Sequence, residues 1–135
     1  MILVDSSVWI DFLRDRETIH TDLLARIIKS GRLLTGDLVL TEVLQGIANE
    51  HAFENARFLL TAGPIITIAD EAVAIQAARN YRNLRARGIT IRKTIDTLIA
   101  TRCIMNGYPL LYSDRDFDPF VEHLGLVSAA ALPDV

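Results

Sequence analysis

Short apolar runs alternate with longer amphipathic segments along the chain. The apolar runs stand at residues 2–4, 33–35, 65–68, 109–112 and 126–127, and each has the length and composition of a buried strand. The segments between them repeat apolar residues every three or four positions, as a helix with one buried face does. Alternating strands and helices predict a central parallel sheet covered by helices on both faces, a three-layer α/β/α sandwich.

The helical pattern has recognisable beginnings and ends. It starts directly after the first strand, where Ser7 is the predicted N-cap, and a second helix is expected to end at Gly31. Asp70 is predicted to cap a long helix that ends at Gly88. The buried face of this long helix is predicted to carry Ala72, Ile75, Ala78, Tyr81 and Leu84. Further helices are predicted at residues 38–47, 51–62, 94–106 and 120–123.

Size and composition indicate one ordinary domain. Residues 1–135 are interpreted as a single domain, in which residues from about 129 to 135 form a loosely held tail. Half of the residues are hydrophobic and 23% are charged, which excludes a disordered chain, and no apolar run is long enough to cross a bilayer. The first residues lack the pattern of a secretion signal, so we expect a cytoplasmic protein without membrane contact. Cys103 is the single cysteine, cannot form an internal disulfide and is expected to pack in the core.

For contact with nucleic acid, the distribution of charge along the chain matters more than the total charge. A net charge of −3 gives no general attraction for nucleic acid, so any such contact requires a local basic patch. Residues 79–93 provide one, because they contain basic residues and no acid. Arginine suits phosphate binding, since its planar guanidinium pairs with two oxygens at once, although a solvated helix face often carries the same pattern. The members are Arg79, Arg82, Arg85, Arg87, Arg92 and Lys93.

Carboxylates occur where ligands bind in parallel sheets, beyond the carboxyl ends of the strands. Asp5 follows the first strand and Asp114 follows the strand at 109–112, so the two meet if these strands are neighbours. Glu42 and Asp96 lie on predicted helices that could close over the same edge. Two unit charges about 4 Å apart repel by roughly 4 kcal/mol at an effective dielectric of 20, so such a cluster needs a compensating cation. Each acid could instead only form a turn, stabilise a helix terminus or lie exposed at the surface.

The ligand type favours particular cations. Oxygen ligands without a neighbouring His or Cys favour Mg²⁺ or Mn²⁺ over zinc. One or two such ions activate water and stabilise the oxygens of a phosphodiester during an in-line displacement. The implied reaction is the hydrolysis of a phosphodiester bond.

Four short segments surround these acids. They are ILVDSSVWI at residues 2–10, LTEVLQG at 40–46, TIDTLIA at 94–100 and LYSDRDF at 111–117. Each segment alone is a weak signal, whereas all four in this order and spacing are specific. Together they resemble the PIN-domain ribonucleases, and within that family the VapC toxins of bacterial and archaeal toxin–antitoxin pairs. The resemblance extends over nearly the whole chain.

The resemblance implies both a topology and a site. The topology is an α/β/α sandwich with the strand order 3-2-1-4-5, in which the strands that precede Asp5 and Asp114 are neighbours. The site is a Mg²⁺ or Mn²⁺ centre in which Ser6 or Ser7 supplies a supporting hydroxyl. The acids that match the metal site of the family are Asp5, Glu42, Asp96 and Asp114, with Asp116 as a further ligand. Which of the crowded acids Asp114, Asp116 and Asp118 faces the metal stays open.

The activity that the resemblance implies is metal-dependent endonucleolytic cleavage of RNA, commonly in structured loops of transfer or ribosomal RNA. Toxins of this kind are typically homodimers that a cognate antitoxin protein silences. The basic residues Arg79, Arg82, Arg85, Arg92 and Lys93 are candidates for binding the RNA substrate. The alternative is a non-catalytic PIN-like module that binds RNA or protein.

Apolar residues of the first two helices have two interpretations. They could line a groove for an antitoxin segment or for a dimer contact, or they could belong to the core, as most apolar stripes do. They are Trp9, Phe12, Leu13, Leu23, Leu24 and Ile27.

Overall fold

A sheet of parallel strands forms the centre of the computed structural model, which describes residues 1–133 and 135. The strands β1 (Ile2–Val4), β2 (Leu33–Gly36), β3 (Ile65–Ile66) and β4 (Leu110–Leu111) lie in the spatial order β3-β2-β1-β4. All the pairings are parallel. β1 lies between β2 and β4, and each of its residues is buried. The predicted α/β fold with a central parallel sheet is confirmed.

The fifth strand, predicted near Leu126 and Val127, is not seen in the described residues. The Leu110 N–H donates to the Val127 carbonyl at 2.9 Å, and one isolated parallel bridge joins Leu110 to Ser128. Little extended chain is available here, because Gly125 ends the preceding helix with a φ of 85° and a 3-10 turn begins directly after Ser128. The predicted order 3-2-1-4-5 is therefore observed as 3-2-1-4.

The chain after Ser128 begins with a packed turn. Residues Ala129–Ala131 form this 3-10 turn, and Ala129 is completely buried in the core. The segment predicted as a loose tail from residue 129 is therefore attached at its first residue. Within that segment, Asp134 lies outside the described residues.

Helices flank the sheet in two packed groups. In one group α1 contacts α2 and α3, and α3 contacts α4, whereas in the other α5 contacts α6 and α7. Across the described part of the chain, no helix has both the length and the apolar character that a membrane span requires. Their bounds are α1 Ser6–Leu13, α2 Ile19–Lys29, α3 Asp37–Gln45, α4 Glu50–Leu60, α5 Glu71–Ala86, α6 Thr94–Asn106 and α7 Asp118–Leu124, and a 3-10 turn at Arg115–Phe117 precedes α7.

The core is continuous around β1. Its largest fully buried side chains include Trp9 of α1 and Phe117 and Phe120 near α7. Cys103 of α6 is also buried, and this burial raises the pKa of its thiol to about 12. The thiol is therefore protonated at neutral pH, which leaves Cys103 as a packing residue without nucleophilic character.

The buried face of α5 differs from the predicted one. Leu84 is buried and Tyr81 is half-buried, as predicted, whereas Ala72, Ile75 and Ala78 are exposed. Val73, Ala77 and Asn80 are buried in place of these three residues. The reason is Asn80, whose side-chain amide donates to the Thr101 hydroxyl of α6 at 3.0 Å and accepts from Gln76 at 2.9 Å. A hydrogen-bonded polar residue thus lies at the contact between α5 and α6, and a search for apolar spacing alone misplaces the buried face in the first half of the helix.

We expect Gly63→Ala to destabilise the fold, because a Cβ at Gly63 would overlap the carbonyl oxygen of Leu33 in β2. This oxygen belongs to the sheet backbone and cannot move aside cheaply. Overpacking of this kind costs about 1–3 kcal/mol, which a urea unfolding curve measures directly. The matched control is Gly46→Ala, where the nearest atom would be 3.7 Å from the new Cβ. Equal unfolding midpoints for the two variants would contradict the close approach at Gly63.

Candidate metal centre

Asp5 directly follows β1 and caps α1. Its Oδ2 atom accepts from the Ser7 backbone N–H at 3.1 Å and from the Ser7 hydroxyl at 2.6 Å. Ser7 was the predicted N-cap, and this prediction is wrong: the helix begins at Ser6, two residues earlier than a Ser7 cap implies, so Asp5 takes the capping position and Ser7 donates to it. The side chain of Asp5 is buried, and its Oδ1 atom has no hydrogen-bond partner among residues 1–133 and 135. Burial raises the pKa of Asp5 despite the hydrogen bonds from Ser7.

Parallel pairing brings Asp114 to the same edge of the sheet. Val4 pairs with Leu111 across β1 and β4, and the Asp5 N–H donates to the Leu111 carbonyl at 2.9 Å. Asp114 follows β4 and caps the 3-10 turn, because its Oδ1 accepts from the Asp116 N–H at 2.9 Å. The two carboxylates influence each other, since the charge on Asp114 contributes to the raised pKa of Asp5.

Glu42 and Asp96 complete the cluster from two helices. Glu42 lies on α3, which packs against α1, and Asp96 lies in the first turn of α6. Burial raises the pKa of Asp96 to about 7, and the charges on Asp5, Asp114 and Glu42 contribute to this rise. Burial and then the charge on Asp5 also raise the pKa of Glu42. All four acids are therefore near enough to interact electrostatically.

Neighbouring polar groups limit these shifts. A hydrogen bond from the Ser6 hydroxyl lowers the pKa of Glu42, so each of the two serines after β1 supports a different acid. The ammonium group of Lys93, which is the residue before α6, lowers the pKa of both Glu42 and Asp96. Lys93 therefore lies beside the cluster, as its position three residues before Asp96 suggests.

The acids after β4 have different partners. Asp118 accepts from the Tyr112 hydroxyl at 3.0 Å, whereas Asp116 accepts from the Arg92 guanidinium at 3.2 and 3.4 Å. One carboxylate oxygen from each of Asp96, Asp114 and Asp116 lies within 4.8 Å of the other two. Asp118 does not belong to this group in the described part of the chain. The sequence alone could not show which of these closely spaced acids binds which partner.

The basic patch divides into two parts. Arg92 and Lys93 lie beside the acids, as described above. Arg79, Arg82 and Arg85 are exposed on α5, and none of them forms an ion pair within the described residues. Arg85 instead lies over the Tyr81 ring, with 5.7 Å from its Cζ to the ring centroid. The structure therefore leaves the α5 arginines without a contact to the cluster.

A cleft opens beside Glu42, between α1, α3 and α4. It has a volume of about 310 Å³, and its lining includes Ile10, Leu13, Val43 and Ile47 together with Glu42. Of the apolar residues predicted to form a groove on the first two helices, only Leu13 belongs to this lining, whereas Trp9, Leu24 and Ile27 are fully buried. Sequence reasoning missed the contribution of α3 and α4, because their pattern also fits ordinary core helices.

The donor set of the cluster fits a hard divalent cation. Asp5 Oδ1, Glu42 Oε1 and Asp96 Oδ2 are buried and lack a hydrogen-bond partner in the described residues. A buried polar atom without a partner is unfavourable, and several buried carboxylates repel one another besides. The groups in this cluster offer only oxygen ligands, which are those that Mg²⁺ and Mn²⁺ prefer. The residues present therefore fit a centre of this kind.

A parallel sheet with clustered acids beyond its central strands defines a class of α/β proteins that bind ligands at a topological switch point. Comparison with known sequences narrows the class, because the sequence profile of the PIN domain matches residues 2–121. The chain therefore belongs to the PIN domain family.

Individual relatives agree with this membership. Ribonuclease VapC11 of Mycobacterium tuberculosis is 28% identical over 133 residues, which covers 96% of this chain and 98% of the relative. VapBC2 of Rickettsia felis, solved with a DNA fragment from its promoter, includes a chain with a TM-score of 0.73 and 16% identity, covering 95% of this chain and 97% of that one. A toxin–antitoxin complex from Klebsiella pneumoniae has a TM-score of 0.68 and 17% identity, with 95% and 97% coverage. At these identities the solved structures support the fold alone.

We expect the stability of the metal-free protein to fall as the pH rises from about 4 to about 7, because the pKa of Asp96 is raised from 3.8 to about 7. In this range the unfolded chain loses the proton while the folded protein keeps it, so folding becomes less favourable. The raised pKa values of Asp5 and Glu42 act in the same direction. Asp96→Asn should reduce the decline by on the order of 2 kcal/mol, as measured by urea unfolding in EDTA across this pH range.

Asp22→Asn is the matched control for this measurement, since Asp22 is an exposed acid on α2. It should leave the decline unchanged. The same decline in wild-type protein and in Asp96→Asn would show that the Asp96 carboxylate is not crowded in the way the structure indicates.

Proposed function

We propose that the protein is a metal-dependent endoribonuclease toxin of the VapC type, which hydrolyses phosphodiester bonds of RNA. The observation that carries the proposal is the convergence of Asp5, Glu42, Asp96 and Asp114 at the carboxyl edge of a PIN-domain sheet. Among the residues that the structure describes, a buried oxygen of each of the first three acids lacks a hydrogen-bond partner. The relative VapC11 is named a ribonuclease and matches almost the whole chain, which supports the same activity here.

The proposed centre holds Mg²⁺ or Mn²⁺ between the carboxylates of Asp5, Glu42, Asp96 and Asp114. When bound, such a cation supplies Lewis-acid activation of water and neutralises charge on the phosphodiester. The protein contributes fixed positions for these groups. Ser7 orients the Asp5 carboxylate through two hydrogen bonds, and Ser6 supports Glu42.

The RNA substrate requires positive charge near an otherwise acidic site. Arg92 and Lys93 lie beside the acids, and Arg79, Arg82 and Arg85 are exposed on α5 without ion pairs in the described residues. We assign these five residues to the RNA phosphates, because all five side chains are exposed and a polyanion attracts exposed basic groups. Arg92 remains available although it also pairs with Asp116. Structured loops of transfer or ribosomal RNA are the proposed target class.

An antitoxin is the proposed protein partner. The cleft between α1, α3 and α4 is largely apolar and reaches Glu42, so a segment bound there would also obstruct the acidic centre. The structural neighbour from Klebsiella pneumoniae is part of a toxin–antitoxin complex, which supports a partner of this kind. We further propose a homodimer that acts in the cytoplasm, where its RNA substrate is present.

The second candidate is a PIN-like module that binds RNA or protein without cleaving it. It would keep the fold and the basic residues but would not need the acids to converge. Four acids that converge on one site, at an energetic cost to the metal-free fold, favour the catalytic interpretation. A metal dependence of cleavage distinguishes the two candidates.

Purified protein should cut end-labelled total cellular RNA at discrete sites in Mn²⁺ or Mg²⁺ and should not cut it in EDTA. Asp96→Asn and Glu42→Gln should each lower the cleavage rate by roughly 100-fold or more, because each removes a charged ligand of the proposed centre. Asp22→Asn should cleave as the wild type does. Circular dichroism of each variant controls for loss of folding.

Two outcomes would contradict the proposal. Cleavage that persists unchanged in EDTA would exclude a metal-dependent reaction. RNA binding without any cleavage, equal with and without Mn²⁺, would favour the non-catalytic module. Full activity of Glu42→Gln would remove Glu42 from the proposed centre even if the protein proves to be a ribonuclease.

A further inference from the structure

Asp116 lies between two competing partners. One of its carboxylate oxygens lies within 4.8 Å of ligand atoms of Asp96 and Asp114, which is near enough to share a cation. At the same time the Nη2 atom of Arg92 contacts both Asp116 oxygens, at 3.2 and 3.4 Å. The same carboxylate could therefore serve the metal centre or hold the guanidinium.

The hydrogen bonding of the acids favours the guanidinium as the partner of Asp116. Within the described part of the chain, Asp5, Glu42 and Asp96 each retain a buried oxygen without a hydrogen-bond partner, whereas both Asp116 oxygens accept from Arg92. The charge of Asp116 is thus already compensated by a side chain of the protein. A cation would have to displace Arg92 before it could use this carboxylate fully.

Stability does not explain the pair of Arg92 and Asp116. The Arg92 side chain is 78% exposed, and an exposed ion pair contributes little to folding. Holding a long arginine side chain in one place also costs conformational entropy. The consequence of the pair is positional: it fixes a positive charge at the edge of an acidic site.

Arg92 has unused hydrogen-bonding capacity at this position. Both of its contacts with Asp116 come from Nη2. Its Nε and Nη1 atoms have no hydrogen-bond partner among the residues that the structure describes. A guanidinium binds phosphate through two parallel N–H groups, so a further anion can be accepted beside Asp116. Lys93, the next residue in the chain, adds a second positive charge near the cluster.

We propose that Asp116 is a positioning residue and not a cation ligand, and that it holds Arg92 where the guanidinium binds an RNA phosphate next to the cleaved bond. The binding part of this inference rests on the proposed ribonuclease function. The part that concerns the cation does not, because metal binding is measured without RNA.

Manganese titration of the full chain by calorimetry tests the first part. Asp114→Asn should lower the Mn²⁺ affinity by about tenfold or more, since it removes a ligand. Asp116→Asn should change it by no more than about threefold, and Arg92→Gln should raise it slightly, because a nearby positive charge is lost. An equal loss of Mn²⁺ affinity in Asp116→Asn and Asp114→Asn would overturn the assignment of Asp116.

Binding of a fluorescein-labelled single-stranded RNA of mixed sequence, with Ca²⁺ in place of Mg²⁺, tests the second part by anisotropy. Arg92→Gln should weaken binding roughly tenfold, as expected for a lost charged hydrogen bond, and should reduce the salt dependence by about 0.7 in log–log slope. Arg92→Lys should recover part of the affinity, because it restores the charge without the planar guanidinium.

Asp116→Asn separates positioning from direct binding. It removes a negative charge, which alone should strengthen RNA binding, so weaker binding identifies a role through Arg92. The double variant of Arg92→Gln and Asp116→Asn should bind no worse than Arg92→Gln alone, because the second change acts through the first residue. Arg57→Gln is the matched control, since Arg57 is also an exposed arginine paired with a carboxylate, 2.9 Å from Glu54 on α4.

The outcomes distinguish this inference from the proposed function. If the wild type binds and cleaves RNA while Arg92→Gln behaves like Arg57→Gln, the proposed role of Arg92 is wrong and the proposed ribonuclease function is retained. If the wild type neither binds nor cleaves RNA, the proposed function and the role of Arg92 fail together. In either case the Mn²⁺ titration still decides whether Asp116 is a ligand.

Discussion

The burial of carboxylates that also repel one another is the constraint on which the rest of this structure depends. Burial raises the pKa of Asp5, Glu42 and Asp96, so the metal-free fold keeps these acids together at an energetic cost. Helix starts reduce the cost, because the free N–H groups there favour negative charge. Asp5 caps α1, Asp96 lies in the first turn of α6 and Asp114 caps a 3-10 turn. A site that charged is explained most simply by a cation.

The central position of β1 makes this arrangement possible. Because β1 pairs in parallel with β4, the residues after both strands leave the sheet at one edge. The hydrogen bond from the Asp5 N–H to the Leu111 carbonyl fixes the register of β1 against β4. Glu42 and Asp96 then need only helices that pack near this edge. The apolar residues of β1 are thus as necessary to the site as the acids, since they hold the strand in the middle of the sheet.

The sequence predicted the parallel sheet and the acidic site at its carboxyl edge, because both follow from short-range patterns. The apolar run before Asp5 and the one before Asp114 predict buried strands, and parallel pairing then predicts that the two acids meet. The order of the strands could not come from periodicity and entered through the resemblance to PIN domains. The predicted fifth strand fails because Gly125 and the turn after Ser128 leave too little extended chain.

The sequence could not predict side-chain partners that depend on tertiary contacts. The spacing of α5 gives no sign that Asn80 is buried, because its hydrogen bond to Thr101 spans two helices. The pair of Arg92 and Asp116 likewise joins residues that are 24 positions apart. Ser7 was assigned to the cap because serine commonly takes that position, but the Asp5 carboxylate accepts from the Ser7 N–H itself and so starts the helix before Ser7.

Anomalous diffraction from a crystal of the protein grown with Mn²⁺ tests the central claim most directly. The account predicts an anomalous peak at the carboxyl edge of β1 and β4, with carboxylate oxygens of Asp5, Asp96 and Asp114 at distances typical of metal ligands. Saturating Mn²⁺ with no peak at this edge, and with the Asp5 and Asp96 oxygens still unpartnered or bonded only to protein, would contradict it.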